Sequence, residues 1–338
     1  MVTIKEIAHM AGVSSTTVSN VLHGKTSRVS RETMDKIEKL LQEHNYIPRL
    51  GLGVLTNNSS RIICVLINTP GFVSGSAYEN PFYGGILGDL EELLREKGYY
   101  IMIFSDKSME EIEKMIVGWN ADGIITISMP YTYCKKISQV SERPMVSIDM
   151  DGVNDWNKVA AEYFVITSED EDAGRKMGEY LISRGIRRIL YLKHVEHGAD
   201  YLRYLGLKDA VRKSGKEIIL EEKKLPEKPE QKQECYRNLL NYAGTDTALF
   251  FSSDLNAAEM ISFSTRNGVK IPEDISIVGM DDNIFASLVY PALTTVKVNV
   301  LEKAQIAVDV LMKLIEGETC DQHIYKTKVQ VIRRESVK

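Results

Sequence analysis

The stretch that decides the fold of the N-terminal part is Thr3–Leu22, TIKEIAHMAGVSSTTVSNVL. Its apolar residues recur at helical spacing on both sides of Gly12, which interrupts the pattern. Thr3 and Glu6 have the spacing of a capping box, and Ser14 is a second N-cap candidate. The stretch therefore predicts two short helices joined by a glycine-containing turn.

A third helix is predicted to begin at Ser30 and to end before Asn45-Tyr46, which completes a helix-turn-helix pattern. The second helix of this motif enters the major groove of DNA, so we expect Ser15, Thr16 and Asn20 to meet base edges. The other residues of the predicted DNA-binding set, most with the chemistry for phosphate contacts, are Thr3, Ser14, Thr17, Ser19, Lys25, Arg28 and Ser30. On the pattern alone, a three-helix bundle with ordinary hydroxyl caps is the alternative.

The charge of the chain is unevenly distributed. The 338 residues carry a formal net charge of −5. Residues 1–60 hold seven Lys and Arg against five Asp and Glu, a net charge of +2 that leaves −7 for the remainder. A mildly basic head on an acidic body favours a polyanionic partner for the head.

The remainder alternates short apolar strands with amphipathic helices, and the alternation restarts near Tyr163. Two successive runs predict two doubly wound parallel sheets, with a ligand in the cleft beyond their strand ends. The absence of an apolar run of membrane length and of a secretory leader predicts a cytoplasmic protein without a membrane partner. Four widely spaced cysteines and the loose His194–His197 pattern predict neither disulfides nor a metal site, and no cofactor is expected.

The spaced residues of Thr3–Leu22, continued by Val29-Ser30 and Tyr46-x-Pro48, resemble the DNA-binding head of the LacI/GalR repressor family. In that family a hinge helix follows the head and places a leucine in the minor groove, and Leu55 matches that leucine. Gly51 and Gly53 weaken helix propensity here, so a linker with incidental apolar residues is the alternative.

The resemblance extends over the body through Asn80–Tyr83, Asp122–Ile125, Arg203-x-x-Gly206, Gly279-x-Asp281-Asp282 and Arg334–Ser336. It implies an all-α helix-turn-helix head followed by an α/β two-lobed, periplasmic-binding-protein-like (type I) effector domain. The expected division is a head over 1–47, a hinge over 48–60 and an effector domain over 61–338. Lobe one is expected over about 61–161 and 292–322, and lobe two over about 162–291 and 323–338, with crossovers near 161, 291 and 323.

The same resemblance implies four effector-binding residues. Arg203 and Asp281 match the family's ligand-binding arginine and aspartate, and Tyr83 takes the place of an aromatic that faces the ligand. Ser253 stands where the family usually has asparagine. We expect Phe82 in the core. Tyr131 and Tyr133, which flank a strand end, are weaker contact candidates.

Together these features predict a ligand-responsive DNA-binding repressor and not an enzyme, because no nucleophile–base constellation is present. The expected partners are pseudo-palindromic double-stranded operator DNA, a second copy of the chain and a small effector, with a carbohydrate favoured over a nucleobase. No leucine heptad follows Arg334–Ser336, so a dimer is expected and not a tetramer. A sugar-binding protein without DNA affinity and an enzyme on the same fold are the rival hypotheses.

Overall fold

The computed structural model describes residues 2–22, 26–27, 29–44, 59–68, 79–105, 108–153 and 156–338. It divides the chain into two compact units, Met1–Asn58 and Ser59–Lys338. This division lies within the segment expected to be the hinge, most of which is outside the described residues.

The first unit contains the three predicted helices, which are α1 (Ile4–Ala11), α2 (Ser15–Leu22) and α3 (Arg31–Glu43). The predicted capping box is confirmed, because the Thr3 hydroxyl accepts from the Glu6 amide while Glu6 accepts from the Thr3 amide at 2.7 Å. Gly12 ends α1 in the left-handed conformation, with φ of 72°. The buried apolar residues that hold the three helices together are Ile7, Ala8, Ala11, Val18, Val21 and Ile37.

The second unit contains two six-stranded sheets. The first has the order β11-β5-β4-β3-β1-β2 and is parallel throughout. Its strands are β1 (Ile62–Ile67), β2 (Tyr100–Phe104), β3 (Gly123–Ile127), β4 (Met145–Ile148), β5 (Phe164–Ser168) and β11 (Ile324–Thr327).

The second sheet has the order β12-β10-β9-β8-β6-β7 and is parallel except for the edge strand β12. Its strands are β6 (Arg188–Lys193), β7 (Ile219–Lys224), β8 (Thr247–Phe251), β9 (Ser276–Asp281), β10 (Thr294–Val298) and β12 (Val329–Ile332). The prediction of two doubly wound sheets is therefore confirmed.

Helices cover both sheets. Those of the first lobe are α4 (Pro81–Glu96), α5 (Met109–Trp119), α6 (Tyr131–Val140), α7 (Trp156–Glu162) and α13 (Val300–Ile315). Those of the second are α8 (Asp170–Ser183), α9 (Gly198–Ser214), α10 (Pro229–Leu239), α11 (Asp254–Arg266) and α12 (Ile284–Leu288). Among the described residues, none of the helices has both the length and the apolar character of a membrane span.

The predicted lobe boundaries are wrong by several residues at each of the three crossovers. The chain leaves lobe one after β5, returns after β10 and leaves again after β11, near residues 169, 299 and 328. Lobe one is therefore 59–168 with 299–327, and lobe two is 169–298 with 328–338. The predicted positions were too early because an apolar parallel strand looks the same in either sheet, and each of these strands is completed before the chain crosses.

Helices α8 and α9 touch backbone to backbone at two glycines. A Cβ atom on Gly174 would lie 1.8 Å from the carbonyl oxygen of Arg203, and one on Gly206 would lie 1.9 Å from that of Glu171. Neither position leaves room for a methyl group, because the obstacle is backbone and not a movable side chain. The close crossing brings Arg203 beside Asp170 at the start of α8.

We expect Gly174→Ala to lower the free energy of unfolding by about 2–3 kcal/mol or more, since overpacking against backbone forces the two helices apart. Urea unfolding followed by circular dichroism measures this change. Gly88→Ala on α4 is the matched control, because a Cβ there would have no neighbour within 4 Å and alanine favours a helix. A wild-type midpoint for Gly174→Ala would contradict the close crossing.

Candidate functional site

The head presents one polar helix face without internal partners. Ser15, Thr16, Ser19 and Asn20 on α2 are exposed or half-exposed. Their side chains make no hydrogen bond within the described part of the chain. This is the face that the sequence predicts to enter the major groove, and all four residues remain available to a ligand.

The remaining described residues of the predicted DNA-binding set are used as helix caps. The Ser14 hydroxyl accepts from the Thr17 amide at 3.1 Å and shares a hydrogen bond with the Thr17 hydroxyl. Ser30 caps α3 through the Thr33 amide at 3.2 Å, and Thr3 caps α1. Capping does not prevent a phosphate contact, because these hydroxyls lie at or near the surface. Lys25, Arg28 and Leu55, which belong to the same prediction, lie outside the described residues.

The second candidate site is a cavity of about 940 Å³ between the two lobes. It lies where the carboxyl ends of the parallel strands of both sheets meet, as the fold requires for a ligand site. Lobe one contributes Tyr83, Asp149 and Lys303 to its walls, and lobe two contributes Arg203 and Asp281.

Arg203 lies in the cavity wall and is bound by two carboxylates. Its Nε donates to Asp170 at 2.8 Å, and one terminal nitrogen donates to Asp200 at 3.4 Å and to the Ser252 carbonyl at 3.5 Å. Burial alone would lower the pKa of Arg203, but Asp170, Tyr191 and Asp200 raise it above its ordinary value. The guanidinium is therefore fixed in place and already neutralised, so a ligand carboxylate would gain little from it.

Asp200 organises the loop in front of Arg203. Its carboxylate accepts from the backbone amides of His194 at 2.8 Å and Val195 at 3.1 Å, and from the Tyr191 hydroxyl at 3.1 Å. One buried acid thus connects the end of β6, the loop that follows it and the ligand-facing arginine.

Asp281 ends β9 in the left-handed region, with φ of 113°. Its carboxylate receives no hydrogen bond from the described part of the chain. Burial raises the pKa of Asp281 to about 7, although Arg203 and Lys303 act to lower it. Asp149, Asp200 and Asp254 add negative charge nearby.

Lys303 forms the opposite wall in lobe one. Its Nζ donates to both carboxylate oxygens of Asp149, at 2.6 and 2.7 Å, and the side chain is 2% exposed. The ammonium also lies 5.9 Å from the centroid of the Phe82 ring. A buried lysine that is held by both oxygens of one aspartate has little freedom to bind another anion.

Phe82 packs against the core as expected but also lines the cavity, and Tyr83 lines the cavity with its ring buried. Phe82 lines the cavity and packs against the cores of both lobes. Tyr83 also lines it but is buried, and its hydroxyl donates to the Ser128 hydroxyl at 3.3 Å. Adjacent helix positions differ by about a quarter turn, and the sequence alone does not show which of the two rings faces the ligand.

Ser253 lines the cavity and caps α11 by accepting from the Leu255 amide at 3.3 Å. Asp254 is buried and accepts from the Thr295 hydroxyl at 2.5 Å and the Asn283 amide at 2.9 Å, a structural role. Tyr131 and Tyr133 pack in the lobe-one core and are not among the residues that line the cavity.

A polar network that the sequence did not reveal extends the cavity in lobe two. Lys232 donates to Glu259 at 2.8 Å and to Asn256 at 3.3 Å, and the Asn256 amide lies 2.7 Å from Nε2 of His194. Burial lowers the pKa of His194, which favours the neutral ring. Pro229 begins α10, and this helix directs Lys232 toward Glu259 and Asn256 on α11.

No group of three or more His, Cys, Asp or Glu side chains within the described ranges is arranged to hold a metal ion.

The fold and the two sites together define a DNA-binding regulator with a two-lobed ligand-binding domain. Residues 3–49 match the family model for bacterial regulatory proteins of the lacI family, and residues 179–337 match the model for a periplasmic binding protein-like domain. The chain belongs to the lacI family of bacterial regulatory proteins.

Similar proteins cover nearly the whole chain. The HTH-type transcriptional repressor PurR of Haemophilus influenzae (strain PittEE) is 31% identical over 327 residues, which are 93% of this chain and 91% of that protein. PurR of Histophilus somni (strain 129Pt) is 28% identical over an alignment that covers 100% of this chain and 99% of that protein.

Solved structures with the same fold include the Lac repressor dimer bound to operator and the anti-inducer ONPF, with a TM-score of 0.83, 22% identity and coverage of 99% and 98%. A complex of the transcriptional regulator CelR with cellobiose has a TM-score of 0.70 and 22% identity, and covers 99% of this chain and 100% of that one. The predicted family and fold class are thus confirmed.

Asp281→Asn tests the electrostatics of the cavity in the ligand-free protein. The pKa of Asp281 is higher in the folded chain than its ordinary value of 3.8, so its contribution to stability falls as pH rises from about 4 to above 7. The variant has no carboxylate to ionise at this position and so avoids this loss of stability. We therefore expect the free energy of unfolding of the variant, relative to that of the wild type, to rise by about 2–3 kcal/mol between pH 5 and pH 8.

Urea unfolding at the two pH values measures this difference. Asp246→Asn is the matched control, because Asp246 is another aspartate with positive φ in lobe two but has an exposed carboxylate. An equal change for both variants would mean that Asp281 is not destabilised by its surroundings.

Proposed function

We propose that this protein is a cytoplasmic transcriptional repressor that binds a pseudo-palindromic operator as a homodimer and is controlled by a carbohydrate bound between its lobes. The observation that carries the DNA-binding part is the unpartnered face of α2 in a head that matches the lacI family. The observation that carries the control is the polar cavity between two lobes joined by three crossovers.

Operator recognition is assigned to α2. Asn20 has the amide chemistry for a bidentate contact with adenine, while Ser15 and Thr16 read base edges less selectively. The caps Ser14 and Ser30 lie at helix N-termini, where hydroxyls and amides together suit a phosphate oxygen.

A carbohydrate suits the cavity because the cavity wall offers an aromatic ring, Phe82, together with fixed charged groups that can bind the hydroxyls of a sugar. The solved structures with this fold include the CelR–cellobiose complex and a periplasmic binding protein/LacI regulator of Alkaliphilus metalliredigens with D-xylulofuranose. These ligands are those of the other proteins, and they favour a sugar here. A nucleobase is the alternative.

Homodimer formation is supported by an apolar surface on lobe two. Ile284 is 60% exposed, Leu288 70% and Tyr290 85%, all within and just after the short helix α12. Large apolar side chains grouped in this way favour a protein interface. A two-fold dimer would place the two heads on the two half-sites of a palindrome.

Control follows from linkage. A ligand that binds one arrangement of the lobes more tightly shifts the protein toward that arrangement. If that arrangement positions the heads poorly for the operator, ligand and DNA weaken each other's binding by the same factor.

Selection of bound duplexes from a random pool by the full-length protein, at fixed near-physiological salt, tests operator binding. We expect enrichment of a palindromic motif. Asn20→Ala should then weaken binding to that motif by about 10–100-fold while leaving binding to unrelated DNA unchanged, because it removes a base contact and no phosphate contact.

Gln42→Ala on the exposed surface of α3 is the control for this variant. The proposal fails if no motif is enriched with or without a mixture of sugars, or if Asn20→Ala weakens all DNA equally.

The dimer is tested separately. We expect a dimer mass for the wild type in light scattering at micromolar concentration, and a monomer mass for Leu288→Glu, because the variant buries a charge in the interface. Ile219→Glu, at an exposed apolar position on the edge strand β7, should remain dimeric. A monomeric or tetrameric wild type, or a dimeric Leu288→Glu, would contradict this assignment.

A further inference from the structure

The walls of the cavity carry more acids than bases. Five aspartates line it, Asp149, Asp151, Asp170, Asp200 and Asp281, together with three glutamates. Four cationic side chains, two lysines and two arginines, lie in the same walls. Carboxylates are costly to enclose unless a positive charge or several donors compensate them, so the partners of each group decide which ligand the cavity favours.

Three of the four cations already pair with carboxylates within the protein, and the fourth, Arg266, is exposed and bonds a backbone carbonyl. Arg203 is held by Asp170 and Asp200, and Lys303 by both oxygens of Asp149. Lys232 pairs with Glu259 at 2.8 Å. Arg266 donates from Nε to the Ser262 carbonyl on its own helix.

Two carboxylates remain without such a partner. Asp281 in lobe two receives no hydrogen bond from the described residues and is enclosed by the cavity. Asp151 in lobe one also lacks a side-chain hydrogen bond in that part of the chain, and its Oδ1 lies against Gly198 at the first turn of α9. Each lobe thus contributes to the cavity one acid whose carboxylate has no hydrogen bond or ion pair with another described residue.

We propose that the effector is an amino sugar whose protonated amine binds the Asp281 carboxylate, an inference that rests on the proposed function of the cavity as a carbohydrate site. The ligand brings the positive charge that the protein omits, and the charge-assisted hydrogen bond is about twice as strong as a neutral one. Phe82 and Trp156 in the lobe-one wall provide aromatic surface for the sugar ring, and Asp151 accepts from its hydroxyls.

The same charge distribution rejects anions. A sugar phosphate or a uronic acid would add negative charge beside carboxylates whose cationic partners are taken. Arg203 already pairs with Asp170 and Asp200, so its positive charge is compensated before an anion binds. The cavity therefore discriminates among sugars by charge before it discriminates by stereochemistry.

The test compares matched ligands on the full-length protein by isothermal titration calorimetry at pH 7. The probes are glucosamine, galactosamine and mannosamine, each with its parent hexose and its N-acetyl derivative, and glucosamine 6-phosphate as the anionic probe. We expect at least one amine to bind about tenfold or more tightly than its uncharged counterparts, as a hydrogen bond to a charged group allows. The phosphate should bind more weakly than its parent amine.

Asp281→Asn removes the charge and retains the size of the side chain. It should bring the affinities for that amine and its parent hexose to within about twofold, because the charge-assisted bond is lost. Asp246→Asn, which removes an exposed carboxylate from the same lobe, should retain the full preference. Circular dichroism of both variants reports whether they fold.

The outcomes separate this inference from the proposed function. Binding of a hexose or N-acetyl sugar as tightly as its amine, or an amine preference that survives in Asp281→Asn, overturns the amino-sugar assignment and leaves a carbohydrate effector intact. Failure of every sugar to bind, with operator binding retained, overturns both the amino-sugar assignment and the carbohydrate class, but not the DNA-binding function.

Discussion

The ligand-binding domain depends on the ion pairs that hold Arg203. Asp170 at the start of α8 and Asp200 in the first turn of α9 fix its guanidinium at 2.8 and 3.4 Å. Asp170 reaches the arginine because the two helices cross at Gly174 and Gly206 with their backbones in contact, whereas Asp200 lies three residues before the arginine on the same helix. The motif Arg203-x-x-Gly206 therefore specifies both the close helix crossing and the charged group in the cavity. The glycine lets the two helices approach closely, and this approach brings Arg203 beside Asp170.

Three strained backbone positions lie at the cavity. Ser128, Asp149 and Asp281 follow or end the strands β3, β4 and β9, and each has a positive φ that side chains other than glycine rarely adopt. All three line the cavity. Strain of this kind persists only where the surrounding structure holds it, and it turns polar side chains from the sheet edges toward the ligand.

The sequence was sufficient to predict the helices of the head, the two parallel sheets and two of the central residues of the cavity. Caps such as Thr3 and Ser30 are local, so a short stretch specifies them, and Arg203 and Asp281 lie in recognisable motifs. Lys303 and Lys232 were missed because each acts from the side of a helix on an acid far away in the chain. The lobe crossovers were misplaced for a related reason: strand pairing is non-local, and an apolar strand does not specify its sheet.

The connection between cavity and head begins at Asp122. Its carboxylate accepts from the amides of Ser60 at 2.9 Å and Arg61 at 3.0 Å, and from the hydroxyls of Ser59 and Ser60. The first residues of lobe one are thereby fixed to the loop before β3, whose other end delivers Ser128 to the cavity. A ligand that moves lobe one also moves residue 59 with it, because four hydrogen bonds to one buried acid leave this segment little freedom. The cavity residue Ser128 and the segment from which the linker leaves are therefore attached to opposite ends of the same strand, β3.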